Sequence, residues 1–389
     1  MFHQILKCFS RGVSSEKLEV PPQVLVDGII GTLNQEHLGY GCDVHSESEH
    51  KHWPPAYALL ASAELSRSSL NKINHNSACF DRAVNCAKWL LDNVGCASTG
   101  GPLWTLPYPR KIWEDEIPVK ENTAFCVPTC QALQAMHEFA VSPIVDDALR
   151  SRAKEAAVNG ANYFANNCFD KTDSGIVFWY SSLKQHSFHV TNASALMGGQ
   201  LQRVSTLCKD CSGLNKLADM AINQLLAIKF QSDGALGWNY FGEKIPKGKT
   251  NKTNDFLHEA FVCHGLMDYK LFGGSLGCEY EYEDLYRTLG RFYKDGKFYE
   301  FSSAECANSR KHKKARVLAI GHALYVATKL ENLMGRADGL SAKLFASLCK
   351  EYLVDRRLYY RPGGQDVTHR VRVVAHVVLG LTEYSINYK

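Results

Sequence analysis

The sequence lacks any apolar run near the roughly 18–20 residues that a membrane-spanning helix needs. Residues 1–7 also lack the long apolar core and cleavage site of a secretory signal. Charge of either sign is scarcely in excess, since 44 Lys and Arg stand against 40 Asp and Glu, a net charge of +4. These absences predict a protein with no membrane span and no general affinity for nucleic acid.

The 14 cysteines do not form the pattern of a disulfide scaffold. Cys86, Cys126, Cys130, Cys263 and Cys349 stand within apolar helical stretches, where reduced cysteine behaves as a small buried hydrophobic residue. A chain of 389 residues also has enough core to fold without disulfides. We therefore expect reduced cysteines and a cytoplasmic location.

Metal and cofactor motifs are weak or missing. Cys208 and Cys211 have the spacing of zinc ligands, but no second Cys pair or paired His accompanies them, which favours a surface turn before a helix. Cys263 and His264, followed by Gly, match two zinc ligands of lanthionine synthetase-like toroids, but Asn239 stands where those proteins have a third ligand, a Cys. We interpret this pair as core. With no phosphate loop or dinucleotide fingerprint either, the sequence predicts no metal and no cofactor.

What the chain does have is a phrase that recurs roughly every 60 residues, a period typical of repeat architectures. Each copy contains a turn of the Asp-Gly type, a short aromatic strand, a polar loop, and an apolar helix with Asn or His near its start. The clearest copies are Asp173-Ser174-Gly175 with Phe178-Trp179-Tyr180, and Asp233-Gly234 with Trp238-Asn239-Tyr240. Further copies lie near residues 100–122, 295–322 and 355–372, with a degenerate one near 43–56.

The predicted helices alternate between two kinds. One kind is amphipathic, with apolar residues at i, i+3, i+4 and i+7, and comprises residues 24–33, 80–93, 146–164, 214–228, 282–292 and 340–353. The other kind is apolar on nearly all sides, which is typical of buried helices, and comprises residues 56–65, 124–139, 191–204, 259–269, 317–333 and 371–384.

This alternation predicts an all-α fold with two concentric rings. It would be an (α/α)6 toroid of six helical hairpins, with the short aromatic β-strands on one rim at the N-termini of the inner helices. Residues 1–22 are predicted to be a polar lead-in, and 23–389 a single toroid domain. The alternative is an open α-solenoid of the same hairpins.

In a closed toroid the N-termini of the inner helices would meet around one cleft, and their partial positive charge favours anionic or hydroxyl-rich ligands. Aromatic and polar side chains are concentrated at these positions, so we predict that they bind substrate. The alternative is that the aromatic residues fill gaps between hairpins and the polar ones cap helices. The predicted substrate-binding residues are Trp104, Glu114, Trp179, Tyr180, His189, Asn192, Trp238, Tyr299, Arg316, Tyr360, Arg361 and Arg370.

The strongest candidates for catalysis are Asp255, His258 and Glu259, together with Tyr240. Asp255 is a plausible N-cap, and if both are helical it shares a face with Glu259 four residues on. Paired carboxylates would suit glycoside hydrolysis. A His–Tyr pair would instead suit proton abstraction beside a uronic-acid carboxylate, the step shared by lyases and C5-epimerases. Four arginines could hold that carboxylate, namely Arg316, Arg361, Arg370 and Arg372. The structural alternative for His258 and Glu259 is helix capping and a surface ion pair.

Two segments carry a resemblance to a known group of proteins. The strand 237–240 with residues 255–262 resembles (α/α)6-toroid carbohydrate-active proteins, above all bacterial proteins of capsule, O-antigen and exopolysaccharide clusters, and residues 188–196 are similar to their preceding inner helix. In those proteins a Trp-x-Tyr strand precedes an inner helix that begins Asp-Asn-x-His. Related toroids include glucuronyl C5-epimerases, polysaccharide lyases and six-hairpin glycosidases. The resemblance therefore implies a saccharide substrate and leaves the reaction open.

The resulting hypothesis is an enzyme of bacterial surface-polysaccharide biosynthesis or modification. It would bind an acidic saccharide in the cleft and act by acid/base chemistry of the epimerase, lyase or hydrolase type, with other polysaccharide-assembly proteins as partners. The alternatives are a non-catalytic toroid that binds glycan or protein as a scaffold, and a zinc-dependent cyclase like the lanthionine synthetases.

Overall fold

The chain forms two rings of helices, one inside the other. The computed structural model describes residues 20–43, 46–70, 77–96, 101–107, 110–112, 117–119, 122–302, 313–336, 339–354, 357–362, 365–367 and 370–387. The outer helices are α1 (Pro22–Ile30), α3 (Ser77–Asp92), α5 (Asp147–Asn167), α7 (Ser212–Ala227), α9 (Tyr282–Gly290) and α11 (Leu340–Ser347). The inner helices are α2 (Pro54–Leu70), α4 (Cys126–Val141), α6 (Thr191–Ser205), α8 (Phe256–Leu271), α10 (Val317–Leu333) and α12 (Val371–Asn387).

The inner ring is closed. Each inner helix packs against the next in the order α2, α4, α6, α8, α10 and α12, and α12 packs against both α10 and α2. The contact between the last and first inner helices excludes the open solenoid. The (α/α)6 toroid predicted from the alternation of helix types is confirmed.

Glycines allow two pairs of inner helices to approach very closely. A Cβ atom added to Gly265 of α8 would overlap the backbone carbonyl of Ala195 of α6. In the same way, a Cβ at Gly380 of α12 would overlap the carbonyl of Gly321 of α10. At these points only glycine fits, because the neighbouring backbone occupies the place of a side chain.

Short antiparallel strand pairs connect outer helices to inner ones. The strands are β1 (Tyr40–Asp43), β2 (Ser46–His52), β3 (Gly95–Cys96), β4 (Pro102–Leu103), β5 (Thr105–Leu106), β6 (Arg110–Ile112), β7 (Ile117–Val119), β8 (Thr123–Ala124), β9 (Phe169–Thr172), β10 (Gly175–Phe178), β11 (Phe230–Ser232), β12 (Ala235–Gly237), β13 (Tyr293–Lys294), β14 (Lys297–Phe298), β15 (Leu353–Val354), β16 (Arg357–Arg361) and β17 (Gln365–Val367). Strand β5 pairs with β8. Strands β15, β16 and β17 form one three-stranded sheet. Each of the other pairs joins two strands that are adjacent in sequence.

The Asp-Gly pairs of the repeat form tight turns. Asp233 and Gly234 have φ angles of 54° and 73°, and Asp295 and Gly296 have 49° and 77°. Two consecutive positive φ angles are required by the type I′ turns that join two-residue hairpins. These turns join β11 to β12 and β13 to β14, as the repeated phrase predicts.

The cysteines follow the expectation with one exception. Cys86, Cys126, Cys130, Cys263 and Cys349 are buried and unbonded. Cys208 and Cys211, in contrast, form a disulfide beside the short turn Lys209–Cys211 that precedes α7. The expected turn is present, but its two thiols are not reduced in this structure. Over the described ranges, no helix combines the length and apolarity needed to cross a membrane.

Candidate active site

The N-termini of five inner helices meet around a small central cavity of about 120 Å³, here called the inner cavity. Its walls include residues from the first turn of each of these helices: Val127 and Pro128 of α4, Asn192 of α6, Leu257 and His258 of α8, Leu318 of α10, and Arg372 of α12. The other lining residues are Leu106, Phe125, Gln131, Tyr180, Tyr240, Phe261 and His376. The convergence predicted for the inner-helix starts is therefore present.

A second, larger space lies beside it, here called the outer cavity, with a volume of about 560 Å³. It is lined by Tyr240, Phe241, Gly248, Lys249, Thr250, Lys252, Thr253, Asp255, His258 and Phe301. Among the described residues, only Tyr240 and His258 line both cavities. These two residues therefore mark the junction between the two spaces.

His258 is oriented by Asp255 at the start of α8. Asp255 is the N-cap of this helix, and its Oδ1 accepts hydrogen bonds from the His258 backbone N–H at 3.1 Å and from Nδ1 at 2.7 Å. With Nδ1 facing a carboxylate, the neutral imidazole carries its proton on Nδ1 and leaves Nε2 as the basic nitrogen. The Tyr240 ring meets the His258 ring edge-on, with centroids 4.7 Å apart. This geometry suits a general acid/base.

Asp255 is kept ionised by its neighbours. Burial alone would raise its pKa, but His258 and the Arg316 guanidinium, whose Nη2 lies 2.7 Å from Oδ2, together lower the pKa well below the usual range. A carboxyl group in this state cannot donate a proton near neutral pH. It can hold an imidazole in position and stabilise its protonated form.

Arg316 and Arg361 belong to an ion network behind this dyad. Arg316 Nε lies 3.1 Å from Glu300 Oε1, and Arg361 Nη1 lies 3.4 Å from Glu300 Oε2. The guanidinium of Arg370 stacks on the Tyr360 ring at 4.5 Å. None of these arginines lines either cavity, so they contribute to the site through their contacts with other side chains.

Glu259 points away from the cavities. Its side chain is fully buried, forms an ion pair with Arg291, and accepts a hydrogen bond from Asn254 Nδ2 at 2.9 Å. Arg291 is itself only 3% exposed. This placement favours a structural role for Glu259 over a role in proton transfer.

Trp104 and Trp238 also lie in the core. Both are fully buried, and each indole N–H donates to a backbone carbonyl in the preceding outer helix, Leu90 at 3.0 Å and Leu225 at 2.9 Å. A buried indole needs such a partner, and carbonyls in the last turn of a helix lack one. Neither ring offers a face to a sugar, which is the physical reason that the predicted stacking role does not fit these two residues.

Trp179 and His189 surround a carboxylate outside both cavities. Trp179 Nε1 donates to Asp170 Oδ1 at 2.9 Å, and His189 Nε2 lies 3.3 Å from Asp170 Oδ2. Lys244 Nζ completes the cluster at 3.2 Å. Tyr299 is half-buried and likewise outside both cavities, and Glu114 lies outside the described residues.

Tyr180 and Asn192 do line the inner cavity, together with Arg372. Asn192 is 1% exposed, and its Oδ1 has no hydrogen-bond partner among the described residues. Arg372 Nη2 lies 3.0 Å from the buried Asp43, while its Nε is buried without a hydrogen-bond partner in the same part of the chain. Unsatisfied buried polar atoms in a cavity wall are suited to binding ligand hydroxyl and anionic groups.

Two polar residues that line the inner cavity, Gln131 and His376, were not predicted. Gln131 Nε2 lies 3.3 Å from His376 Nε2, and burial with nearby Arg372 and His264 lowers the pKa of His376 to about 3. The ring is therefore neutral at physiological pH. A signal for both was available in the sequence, since each is a polar residue about one turn from the start of an otherwise apolar inner helix. Across the described residues, no group of three or more His, Cys, Asp or Glu is arranged to hold a metal ion.

No known family model matches the chain, and no curated protein matches it in sequence. Solved structures do resemble it. A family 76 glycoside hydrolase from a bovine Bacteroides thetaiotaomicron strain superposes with a TM-score of 0.68 at 10% identity, over 95% of this chain and 78% of that one. A D-mannose isomerase gives 0.62 at 11% identity, over 95% and 99%. A sugar epimerase from a ruminal bacterium gives 0.57 at 12% identity, over 91% and 95%.

The chain shares the fold of these carbohydrate-active proteins. Identities this low establish the (α/α)6 toroid and not the reaction. These neighbours include a hydrolase, an isomerase and an epimerase, so the shared fold does not identify the reaction.

Proposed function

We propose that the protein is a carbohydrate-active enzyme that transfers a proton to or from a carbon atom of a saccharide bound in the inner cavity. His258 is the acid/base, Asp255 orients it, and Tyr240 is a second group for proton transfer. The observation that carries the proposal is the His258–Asp255 hydrogen bond of 2.7 Å, which holds Nδ1 of a cavity-lining imidazole and leaves Nε2 as its basic nitrogen. The sugar-active proteins that share the fold support a saccharide ligand.

The site favours proton transfer over glycoside hydrolysis. Hydrolysis uses two carboxyl groups on opposite sides of the bond, one of which must be protonated. Among the described residues that line the cavities, Asp255 is the only carboxylic acid, and its lowered pKa keeps it ionised. A histidine with a bonded Nδ1 does not need a second carboxyl group to act as a base.

The proposed step is as follows. Nε2 of His258 removes a proton from the carbon next to a carbonyl or carboxyl group, and the electron pair left behind is delocalised into that group as an enolate. Return of a proton to the opposite face inverts the centre, as in an epimerase. Loss of a leaving group from the next carbon gives an unsaturated sugar, as in a lyase. We assign the second proton to Tyr240, whose ring is in edge contact with His258.

Substrate binding falls to the other polar residues of the inner cavity. We assign a sugar hydroxyl to Asn192 Oδ1, and a carboxylate to Arg372, whose Nε is unsatisfied. The Tyr180 ring supplies a flat surface in the same wall. No carboxylate among the described residues lines this cavity, which favours an acidic saccharide.

The setting that we propose is the cytoplasmic synthesis or modification of bacterial surface polysaccharide, with other assembly proteins as partners. The support for the pathway is the resemblance of residues 237–240, 255–262 and 188–196 to proteins of such clusters. For the compartment, the buried, unbonded cysteines favour a reducing environment and the Cys208–Cys211 disulfide favours an oxidising one, so the cytoplasmic setting rests on the sequence-based expectation.

Proton transfer at carbon can be tested by incubating the protein with hexuronates, oligouronates and reducing hexoses in D2O and following the C–H signals by NMR. We expect deuterium incorporation, or the alkene signal of an unsaturated product, with at least one saccharide class, and a rate at least about 100-fold lower for His258→Gln. Lys247→Ala, which alters an exposed residue outside both cavities, is the control and should exchange at the wild-type rate.

Three outcomes would contradict the proposal. Equal exchange by His258→Gln would remove His258 from the chemistry. Cleavage of a glycosidic bond with neither deuterium at carbon nor an unsaturated product would identify a hydrolase. Saccharide binding without exchange or cleavage would identify the non-catalytic scaffold.

A further inference from the structure

We propose that the outer cavity is a second binding subsite, which holds an anionic group attached to the saccharide unit that occupies the inner cavity. The substrate would then be the terminal unit of an acidic chain or conjugate. The inference rests on the proposed function for the position of the reacting unit. The binding site itself is argued from the shape and charge of the two cavities.

The inner cavity is closed at its base by side chains on the toroid axis. His376 and Gln131 line it, and the next layer is His322, whose Nδ1 lies 3.2 Å from His376 Nδ1. Below that layer the His264 ring lies 5.2 Å from His322 and 5.1 Å from Tyr325. All five side chains are buried. A saccharide chain therefore cannot pass through the ring.

The junction residues connect the inner cavity to a space that can hold a group attached to the bound unit. Tyr240 and His258 line both cavities, so the path from the inner cavity leads into the outer one. The outer cavity is more than four times as large, about 560 Å³ against about 120 Å³. The small space thus accepts one end of a ligand, and the large one accepts what is attached to it.

One wall of the outer cavity is a loop, residues 241–253. This loop is hydrogen-bonded to the segment that follows β12 and carries Tyr240. The Asn251 side chain accepts from the Phe241 backbone N–H at 3.1 Å and donates to the Phe241 carbonyl at 2.8 Å. The Tyr240 N–H donates to the Lys252 carbonyl at 2.6 Å. These bonds set the position of the loop relative to the junction.

The loop makes the outer cavity electropositive. Residues 241–253 contain four lysines and one glutamate, and Lys249 and Lys252 line the cavity beside two threonine hydroxyls. The only acidic residue among its described lining residues is Asp255, whose charge is already paired with Arg316. Lysine ammonium groups beside threonine hydroxyls suit a phosphate or carboxylate group.

The test is calorimetric binding of saccharides that differ in length and charge. Galacturonate and its α-1,4-linked dimer probe a carboxylate on a second unit, while glucose and glucose 1-phosphate probe a phosphate. The proteins compared are the wild type, the double variant Lys249→Ala/Lys252→Ala, and Lys247→Ala, which removes a charge from the same loop outside both cavities.

We expect one of the extended anions to bind the wild type about tenfold more tightly than its shorter partner, the size given by two partly exposed charge contacts. The double variant should lose that gain and keep its affinity for the single unit. Lys247→Ala should retain the gain, and high salt should reduce it. Which pair shows the gain identifies the anion as carboxylate or phosphate.

The subsite is overturned if neither extended ligand gains affinity, or if the double variant weakens single units equally. A lysine-dependent gain with neither deuterium exchange at carbon nor an unsaturated product would leave the subsite standing and refute the proposed chemistry. Exchange without a lysine-dependent gain would do the reverse.

Discussion

His258 and Glu259 are neighbours on α8, and substitutions at the two positions should have opposite effects. Glu259→Gln removes a charge that is fully buried against Arg291, whose side chain is 3% exposed. His258→Gln changes a side chain that is 25% exposed and lines both cavities. We expect the first to lower stability with little loss of turnover, and the second to lower turnover with little loss of stability.

The magnitudes follow from burial. Leaving one partner of a buried ion pair uncompensated costs about 3–5 kcal/mol, and the amide of Gln keeps part of the hydrogen bonding, so about 3 kcal/mol is expected. At an unfolding entropy of about 0.8 kcal/mol/K for a chain of 389 residues, this lowers Tm by about 4 °C. Loss of the partly exposed His258–Asp255 contact costs about 1 kcal/mol or less, or roughly 1 °C. Loss of the acid/base lowers kcat by about 10²–10⁴-fold.

Calorimetric melting measures the first effect, and deuterium exchange per folded molecule measures the second. Arg291→Met is the matched control, because it removes the other partner of the same pair and should resemble Glu259→Gln. If Glu259→Gln melts like the wild type but loses exchange as His258→Gln does, the structural role argued here for Glu259 is refuted. The sequence-based prediction of a catalytic Glu259 would then be supported.

Three further outcomes are expected. Gly265→Ala should destabilise the fold by about 1–3 kcal/mol in urea unfolding, because its methyl group meets the Ala195 carbonyl, while Gly290→Ala, which meets nothing within 4 Å, should not. Burial lowers the pKa of His376 to about 3, so between this pH and about 6.5 the unfolded state binds a proton that the folded state does not. The free energy of unfolding should therefore fall as pH falls through this window. His376→Gln should make the dependence of that free energy on pH shallower by up to about 1.4 kcal/mol per pH unit. Trp238→Phe should lower Tm and leave saccharide affinity unchanged, and weakened sugar binding would contradict its placement in the core.

The fold was largely predictable because it depends on patterns that a sequence displays directly. The inner helix predicted at residues 317–333 is Val317–Leu333, and the other inner helices differ from prediction by a few residues at their ends. Closure of the ring was predicted with an open solenoid of the same hairpins as the alternative, and the packing of α12 against α2 decides between them. The disulfide between Cys208 and Cys211 was missed, because spacing alone does not distinguish a turn with two thiols from one with a bond.

The catalytic candidates were predictable only in part, and the reason is the backbone at one residue. Asp255 and Glu259 would share a helical face if both were helical. Asp255, however, is the N-cap and has extended dihedrals, φ −73° and ψ 170°, so the four-residue rule does not apply to this pair. Its side chain turns instead toward His258, and Glu259 faces Arg291.

The aromatic strands show how the register of the repeat decides which rings can meet a ligand. When the copies are aligned, the first position of the three is buried, with 0–1% exposure, in Trp104, Phe178, Trp238 and Phe298. The third position, two residues on, lines the inner cavity in Leu106, Tyr180 and Tyr240. The first position packs under the hairpin because a large side chain is needed to fill the space between an outer and an inner helix. The residues that can contact a ligand are therefore defined by their position in the repeat and not by being tryptophan. A prediction based on aromatic character alone included the buried first position together with the cavity-lining third position.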